Sequence, residues 1–478
     1  MKNSMSIKKA ALINAFAKYS TVIVNLISNA ILARILTPSD YGIVAIISVF
    51  SSFFLVFADM GIGSAIIQNR DLTKMELNDI FTWTNYIGLF IMVTFSLFSY
   101  AIAAFYNNLI YVSLGFILSF SSYFTALSMV PNALLMREMK FSYVAIRNIF
   151  ASILNFVCTL VLAINGFKAY AIVIGTVLNT LIIFILNYRG SKLKFVSHPR
   201  IASLKKIAGF SVYQFGYQFV NYFSRSLDNI LAGKYLGDEA LGYYDKSYKL
   251  MIYPINNFTA VINPVLHPIL STFQDNKKYI YDKYIKLVKL LAIVGGYCTI
   301  ICFFLAEEII RIIYGNMWIG AIMSFKILSL SIATQMVSSS AGAIYQSLGN
   351  TKLMFKSGIT YMGTTVLSII IGIKLGNINT LSLCVCVSLY IKFFIEFYFL
   401  INKCFGYSIF SFLKELIPES LSTFLSWLLL SIIWYYYPLN LSNLFQVIFI
   451  KLIITTLVFI TFCYLTKCIK DLKAMSLS

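Results

Sequence analysis

The chain has 478 residues, of which 59% are hydrophobic and 12% are charged, and its mean hydropathy is +0.81. Soluble domains carry about a quarter of charged residues, so this composition excludes an ordinary soluble protein and indicates an integral membrane protein. The formal net charge of +20 would suggest a nucleic-acid partner in a soluble protein. Here the basic residues concentrate in the segments between apolar runs, so we predict no nucleic-acid partner.

Apolar runs of about 20 residues, the length that crosses a bilayer as a helix, recur along the whole chain. They predict fourteen transmembrane helices, arranged as six, a basic connector, six more and a final two. The first six are predicted at 11–33, 41–65, 80–105, 110–130, 143–164 and 169–188. The others are predicted at 208–236, 248–271, 287–305, 319–348, 354–374, 380–401, 416–437 and 444–465.

This order predicts an all-α membrane protein with two related six-helix lobes. The predicted N-lobe is 1–188, the cytoplasmic connector 189–207, the C-lobe 208–403, and the last two helices with a cytoplasmic tail occupy 404–478. The lysine-rich segment 273–289, which contains alternating tyrosine and isoleucine, predicts an amphipathic helix at the membrane interface.

The distribution of positive charge fixes the predicted orientation. With the N-terminus inside, the inside segments hold 25 of the 38 lysine and arginine residues and the outside segments hold seven. Cytoplasmic loops carry such an excess of positive charge. We therefore predict a multi-pass membrane protein with both termini in the cytoplasm.

The seventh predicted helix carries a row of polar side chains. Gln214, Gln218, Asn221, Arg225 and Asp228 recur at steps of four, three, four and three, so they share one helical face. A charge near the middle of a membrane helix costs roughly 2.5–3.5 kcal/mol on insertion scales. This face is therefore expected to line the interior of a helix bundle or a hydrated cavity.

The same pattern occurs 200 positions earlier, in the first predicted helix. Asn14, Lys18, Thr21, Asn25 and Ser28 form the matching face. Beyond it, Asn29, Leu36 and Gly42 match the residues at 229, 236 and 242, which are also Asn, Leu and Gly. Two equivalent helices with polar faces predict two lobes around a shared cavity, which is the architecture of a transporter.

Arg225 and Asp228 are the strongest candidates for function. The guanidinium of Arg225 suits the oxygens of an anionic substrate, and Asp228 would act as its counter-ion or take a coupling proton. The alternative is that the two residues pair with each other and only hold helices together.

Three further charged residues have two interpretations each. Lys18 and Arg147 are substrate ligands, or they extend towards the cytoplasmic surface as anchors. Asp59 forms a cytoplasmic gate contact, or it is a solvated helix end. The predicted substrate-binding set is therefore Arg225, Lys18, Asn25, Gln214, Gln218, Asn221, Asn14 and Arg147, and the predicted coupling or gate residues are Asp228 and Asp59.

No catalytic or metal-binding pattern is present in the sequence. The chain has no phosphate-binding lysine loop and no nucleophile elbow. Its eight cysteines form no CxxC motif, and it has only two histidines. We predict a protein that is not an enzyme and that uses no cofactor, with coupling to a proton or sodium gradient left open.

Several stretches resemble a known family. They are ARILTPSDYG at 33–42, FADMGIGSA at 57–65, LLMREMKF at 134–141, Asp228-Asn229 with LGYY at 241–244, and YGNMW at 314–318. Their order and spacing are similar to those of Wzx-type oligosaccharide flippases, in the branch that exports lipopolysaccharide and teichuronic acid. These belong to the superfamily that also holds the MATE multidrug transporters and the lipid II flippases.

The resemblance implies a V-shaped, MATE-like fold and a substrate. That substrate is an undecaprenyl-diphosphate-linked oligosaccharide, moved from the inner to the outer leaflet by alternating access. The implied partners are this lipid-linked oligosaccharide, membrane lipids, and the polymerase and glycosyltransferases of the same capsule or lipopolysaccharide pathway.

Four alternatives stay open. A cation-coupled drug exporter on the same fold would need an acidic, aromatic site, whereas these polar faces carry Lys18 and Arg225. A lipid II flippase shares the fold and the diphosphate. A membrane-bound glycan polymerase, ligase or glycosyltransferase usually has a large outer loop or soluble domain, and a membrane scaffold would not need two polar faces.

Overall fold

A computed structural model describes residues 7–59, 62–69, 71–271, 276–439 and 443–468. Within these ranges the side chains of 7–18, 57–59, 64, 68, 207–221, 223–225, 260–271 and 351 are not described. The described chain is helical throughout and has no β-strand. This confirms the prediction of an all-α membrane protein.

Packing divides the chain into two compact units, Met1–Gly242 and Tyr243–Ser478. The helices that begin in the first unit are α1 (Ile7–Leu32), α2 (Pro38–Asp59), α3 (Ile62–Gln68), α4 (Lys74–Tyr106), α5 (Ile110–Arg137), α6 (Phe141–Ile164), α7 (Ala169–Ser191), α8 (Ile201–Leu236) and α9 (Asp238–Ser271). Helix α5 is central, because it packs against α4 on one side and α7 on the other, while α6 packs against α7 and α1.

The second unit contains the remainder of α9 and ten further helices. They are α10 (Lys277–Phe304), α11 (Ala306–Ile313), α12 (Ala321–Ser329), α13 (Ile332–Ser338), α14 (Ala341–Ser347), α15 (Thr351–Lys374), α16 (Ile378–Phe397), α17 (Ile409–Glu415), α18 (Ile417–Tyr436) and α19 (Leu444–Leu465). A short 3-10 turn precedes α12, and a π-helical segment, Tyr398–Phe405, continues α16. Helix α10 is central here and packs against α12, α13 and α18.

The last two helices are fastened to the second unit by a buried ion pair. The Nζ atom of Lys451 on α19 lies 2.5 Å from Oε1 of Glu308 on α11, and both side chains are largely buried. Ile300 of α10, Leu430 of α18 and Phe459 of α19 form a small apolar core beside it. The polar and apolar contacts together hold α18 and α19 against α10 and α11.

Ten helices of the described chain are long and apolar enough to cross a membrane, and a bent pair of helices makes an eleventh. They correspond to eleven of the fourteen predicted spans. The other three, predicted at 11–33, 208–236 and 248–271, fall in α1, α8 and α9, parts of which carry undescribed side chains. The count of fourteen therefore stays a prediction.

The predicted single span at 319–348 is broken in the structure. Helix α12 and the following segment Ile332–Ser347 meet at an angle of 52°. Serines accompany the breaks: the hydroxyl groups of Ser331 and Ser340 donate to the carbonyl oxygens of Leu328 and Val337. Such bonds stabilise a bend because they satisfy carbonyl groups that a straight helix would pair.

The predicted interfacial helix at 273–289 is wrong where the structure describes it. Residues from Lys277 onward form the first turns of α10, which runs without interruption to Phe304. Ile280, Tyr284 and Val288 are completely buried, so this segment packs inside the second unit rather than lying on the membrane surface.

The boundary between the compact units differs in position from the predicted lobe boundary at 189–207. Helix α8 packs against α2, α3 and α4 and so lies in the first unit, which ends at Gly242. The predicted division into an N-lobe, a connector and a C-lobe stays a prediction.

The predicted repeat is visible in the start of two helices. Helix α2 begins at Pro38 and α9 begins at Asp238, which are 200 positions apart. Gly42 lies against the backbone of Asp238, and Gly242 lies against the backbone of Pro38. These two contacts are the same contact after the 200-residue shift, so the two helix starts cross in a locally symmetric way.

Candidate functional site

Most of the predicted substrate-binding residues stand on α1 and α8. Helix α8 is continuous from Ile201 to Leu236 and α1 from Ile7 to Leu32, so the helical spacing on which the prediction rests is present. The side chains of Asn14, Lys18, Asp59, Gln214, Gln218, Asn221 and Arg225 lie outside the described residues, and their roles stay predictions.

Two members of the predicted set on these helices have described side chains. Asn25 on α1 is exposed. Asp228 on α8 is only 6% exposed, and its Oδ1 atom accepts the backbone N–H of Asn229 at 2.8 Å. A carboxylate in a membrane-length helix avoids hydrocarbon. The burial of Asp228 is thus consistent with the predicted inward-facing stripe.

Arg147 is the predicted ligand that the structure describes most fully. Its side chain is buried at 6% exposure. Nε and Nη2 donate to Oδ1 of Asn148 at 3.1 and 2.7 Å, and Nη1 donates to Oδ1 of Asn132 at 3.1 Å and to Oδ1 of Asn187. We call Arg147, Asn132, Asn148 and Asn187 the Arg147 cluster.

The cluster forms because its members lie at the same depth on three neighbouring helices. Asn132 stands five residues before the end of α5, Arg147 six residues after the start of α6, and Asn187 four residues before the end of α7. With a rise of about 1.5 Å per residue, each lies roughly 6–9 Å from its helix end.

The structure excludes the interpretation of Arg147 as a surface anchor. Its guanidinium turns into the first unit and binds amide oxygens rather than extending to the membrane surface. The sequence pointed to Arg147 and the adjacent Asn148 but missed Asn132 and Asn187. Their similar distances from the ends of α5 and α7 are the sequence signal that would have identified them.

A second polar cluster attaches the basic connector to the inner end of α4. The buried carboxylate of Asp79 accepts the hydroxyl of Ser203 at 2.8 Å and lies 3.5 Å from Nε of Arg200. Nζ of Lys206 lies 3.0 Å from Oε1 of Glu76, on the first turn of the same helix.

The connector backbone also binds α4. Asn78 Oδ1 and Thr82 Oγ1 accept the backbone N–H groups of Lys194 and Val196, each at 3.0 Å. The side chain of Leu193 belongs to the apolar core at this end of the unit. The connector is therefore packed onto α4 along its length rather than being a free linker.

The opposite end of the first unit is joined by tyrosines. Tyr111 donates its hydroxyl to Oδ1 of Asp238 at 2.9 Å, and Tyr106 donates to the carbonyl oxygen of Ile230 at 2.9 Å. Lys234 donates to the carbonyl oxygen of Phe105. These bonds connect the ends of α4 and α5 with the segment that links α8 to α9.

The second unit contains a buried acid that the sequence analysis did not identify. Glu419, on the first turn of α18, is 1% exposed and forms part of the wall of a cavity of about 470 Å³. The rest of the wall comes mainly from apolar residues of α10, α13, α16 and α18. Among the described residues no group of three His, Cys, Asp or Glu side chains could hold a metal ion.

Membrane-length helices with charged and amide side chains buried among them are typical of membrane transporters. Residues 31–323, more than half of the chain, match the polysaccharide biosynthesis protein family. The chain belongs to this family.

Two relatives extend the match. The teichuronic acid biosynthesis protein TuaB of Bacillus subtilis (strain 168) is 24% identical over 369 residues, 75% of this chain and 75% of that protein. The lipopolysaccharide biosynthesis protein WzxC of Escherichia coli (strain K12) is 22% identical over 375 residues, 77% of this chain and 76% of that protein. The family resemblance inferred from the sequence is thereby confirmed.

Solved structures show the same fold. The lipid II flippase MurJ, in an inward closed conformation, matches with a TM-score of 0.75 at 17% identity and covers 95% of this chain and 98% of its own. An inward-facing multidrug resistance MATE family transporter matches with a TM-score of 0.63 at 15% identity and covers 79% of this chain and 93% of its own. These similarities confirm the predicted MATE-like fold.

Proposed function

We propose that the protein is a flippase that moves undecaprenyl-diphosphate-linked oligosaccharides from the inner to the outer leaflet of the bacterial cytoplasmic membrane. The family match over residues 31–323 is the observation that carries this proposal. Relatives named for teichuronic acid and lipopolysaccharide biosynthesis support the glycan as cargo. The fold shared with a lipid II flippase supports a lipid-linked one.

The polar faces of α1 and α8 suit such a head group. A diphosphate is anionic, and Lys18 and Arg225 supply positive charge. The hydroxyl groups of a glycan need neutral hydrogen-bonding partners, and these are Asn14, Asn25, Gln214, Gln218 and Asn221. The polyprenyl tail stays in the bilayer while the head group crosses by alternating access.

In the proposed orientation both termini are cytoplasmic. The excess of positive charge in the inside segments supports it. Asp228 is proposed to switch between pairing with Arg225 and releasing it to the substrate, and Asp59 to form an inner gate contact. The burial of Asp228 supports the first of these roles.

The test uses bacteria that lack their own exporter and carry this chain together with a matching set of glycan-assembly enzymes. Arg225→Ala is expected to stop the appearance of lipid-linked repeat units in the outer leaflet, because the anionic head group loses its bidentate partner. Arg225→Lys keeps the charge and serves as the matched variant, expected to retain part of the export. Membrane levels of each variant are measured by immunoblot.

Normal export by both Arg225→Ala and Lys18→Ala would overturn the anion-binding assignment. Coupling is tested separately in reconstituted vesicles with an imposed proton or sodium gradient. If Asp228 takes a coupling proton, the proton gradient drives flipping and Asp228→Asn removes that dependence. A flipping rate that depends on neither gradient would overturn the role of Asp228 as a proton carrier.

A further inference from the structure

The Arg147 cluster holds a positive charge away from solvent with no acidic partner among the described residues. Four of the five guanidinium N–H groups are directed to amide oxygens, and no aspartate or glutamate of the described chain forms an ion pair with Arg147. A buried charge that is solvated only by neutral dipoles is costly. An anion that binds near this charge lowers the cost. The cluster therefore favours a ligand of negative charge.

The orientation of the three asparagine side chains strengthens this bias. A guanidinium can only donate hydrogen bonds, so each asparagine must turn its Oδ1 towards Arg147 and its Nδ2 away. Each Nδ2 can only donate. The outer layer of the cluster consequently presents donors alone, and hydrogen bonding to a cation polarises an amide so that its N–H groups become stronger donors.

One of these donors has no acceptor in the described chain. Asn187 is completely buried, and its Nδ2 atom lacks a hydrogen-bond partner among the described residues. Buried polar groups are satisfied in most proteins, so such an atom calls for an explanation such as a ligand or an ordered water. Asn132 and Asn148 are half-buried, so a ligand can approach the cluster from their side.

We propose that the Arg147 cluster is an oxyanion site that binds a phosphate group of the lipid-linked substrate near the inner surface of the membrane. This rests on the proposed function for the identity of the phosphate donor, and on geometry alone for the charge of the ligand. Asn132 and Asn148, which are partly accessible, contact the phosphate oxygens, and the buried Nδ2 of Asn187 adds to the positive potential behind them without touching the ligand. Arg147 acts through them as a positioning residue that supplies the charge.

The position of the cluster suits the first stage of substrate entry. Helix α1, which carries Lys18, packs along α6. Arg147 lies six residues into α6, so at about 1.5 Å per residue it stands roughly 9 Å from the start of that helix. A phosphate that enters from the inner leaflet would therefore meet the Arg147 cluster early on its path.

The competing explanation is that the cluster only joins α5, α6 and α7. The two explanations differ in the effect of a negative charge of unchanged shape. Asn148→Asp gives Arg147 a carboxylate partner in the place of an amide oxygen. A purely structural cluster would keep or gain thermal stability and would bind ligands as before. An oxyanion site would keep its stability and lose its ligand, because the introduced carboxylate neutralises the charge and repels phosphate.

The experiment measures the binding of undecaprenyl diphosphate to the purified full chain in nanodiscs of zwitterionic phosphatidylcholine. We expect saturable binding that weakens as salt rises, because screening reduces the attraction between opposite charges. Asn148→Asp is expected to raise the Kd at least tenfold without lowering the unfolding temperature. Asn165→Asp, at the far end of α6, introduces the same charge away from the cluster and should leave the Kd unchanged.

Two further arms identify the ligand. Inorganic diphosphate that competes with the lipid supports recognition of the phosphate itself, whereas failure to compete at millimolar concentration overturns it. Phosphatidylglycerol that displaces the probe equally well overturns selectivity for the polyprenyl substrate. Unchanged affinity in Asn148→Asp overturns the site. Because the assay needs no transport, its failure leaves the flippase proposal standing, and a failure of export in cells leaves the binding result standing.

Discussion

The crossing of α2 and α9 gives a prediction whose size follows from the structure. A Cβ on Gly42 would overlap the carbonyl oxygen of Asp238 and lie 2.7 Å from its carbonyl carbon, and a Cβ on Gly242 would meet the carbonyl oxygen and carbon of Pro38 in the same way. Carbon atoms prefer separations of about 3.5–4.0 Å. The helix starts would have to part by more than about 1 Å to restore a normal contact. Backbone atoms cannot turn aside as a flexible side chain does.

Gly42→Ala and Gly242→Ala should therefore each destabilise the protein. Overpacking commonly costs about 1–3 kcal/mol, and we expect the upper part of this range because both sides of the contact are backbone. The gain in helix propensity on replacing glycine by alanine, about 1 kcal/mol, offsets part of it. The assay is the fraction of protein that stays monodisperse in detergent after heating.

Gly358→Ala and Gly363→Ala in α15 are the matched controls. A Cβ at either position meets nothing within 4 Å, so these variants are expected to be neutral or slightly more stable. If Gly42→Ala and Gly242→Ala resist heating as well as the α15 controls, the close crossing does not exist in the folded protein. Because the contact is reciprocal, the two crossing variants should also resemble each other, and a large difference between them would refute its symmetry.

Two further predictions concern polar contacts. Lys451→Ala is expected to lower the free energy of unfolding by about 3 kcal/mol, because it leaves the carboxylate of Glu308 buried without a positive partner. Replacing Lys451 by methionine and Glu308 by leucine together should restore most of the lost stability in the same heating assay. Asp79→Ala is expected to loosen the connector, so that trypsin added to inside-out vesicles cleaves after Arg200 several times faster than in the parent protein. Asp71→Ala, which changes an exposed residue, is the control, and equal cleavage in all three proteins would contradict the packed connector.

The packing of the connector also bears on how α8 is held. By sequence α8 is the counterpart of α1, yet α1 packs mainly along α6, whereas α8 contacts α2, α3 and α4. Its N-terminal end is bonded to α4 through Ser203 and Lys206, and its C-terminal part to Tyr106. Among the described residues the two helices therefore show different packing partners.

The class of fold and most of the span positions could be predicted from the sequence alone. Hydrocarbon excludes unpaired backbone groups, so a long apolar segment must become a helix, and this local rule needs no knowledge of neighbours. Ten predicted spans are single helices of membrane length, and an eleventh is a bent pair of helices. The internal repeat could also be predicted from the sequence, and α2 and α9 begin at equivalent positions 200 residues apart. The family could be predicted because several short motifs occur in the chain in the order and spacing typical of that family.

The hydrogen-bond partners of the buried polar groups follow from the packing of the helices and could not be predicted from the sequence. Helical periodicity shows which residues share a face but does not show which helix lies opposite it. Arg147 was visible as a charge in a span, whereas its partners Asn132 and Asn187 belong to helices separated from it along the chain. The packing of the connector on α4 likewise depends on bonds between segments that are far apart in the chain. Such bonds form between neighbours in space, and a single sequence does not specify those neighbours.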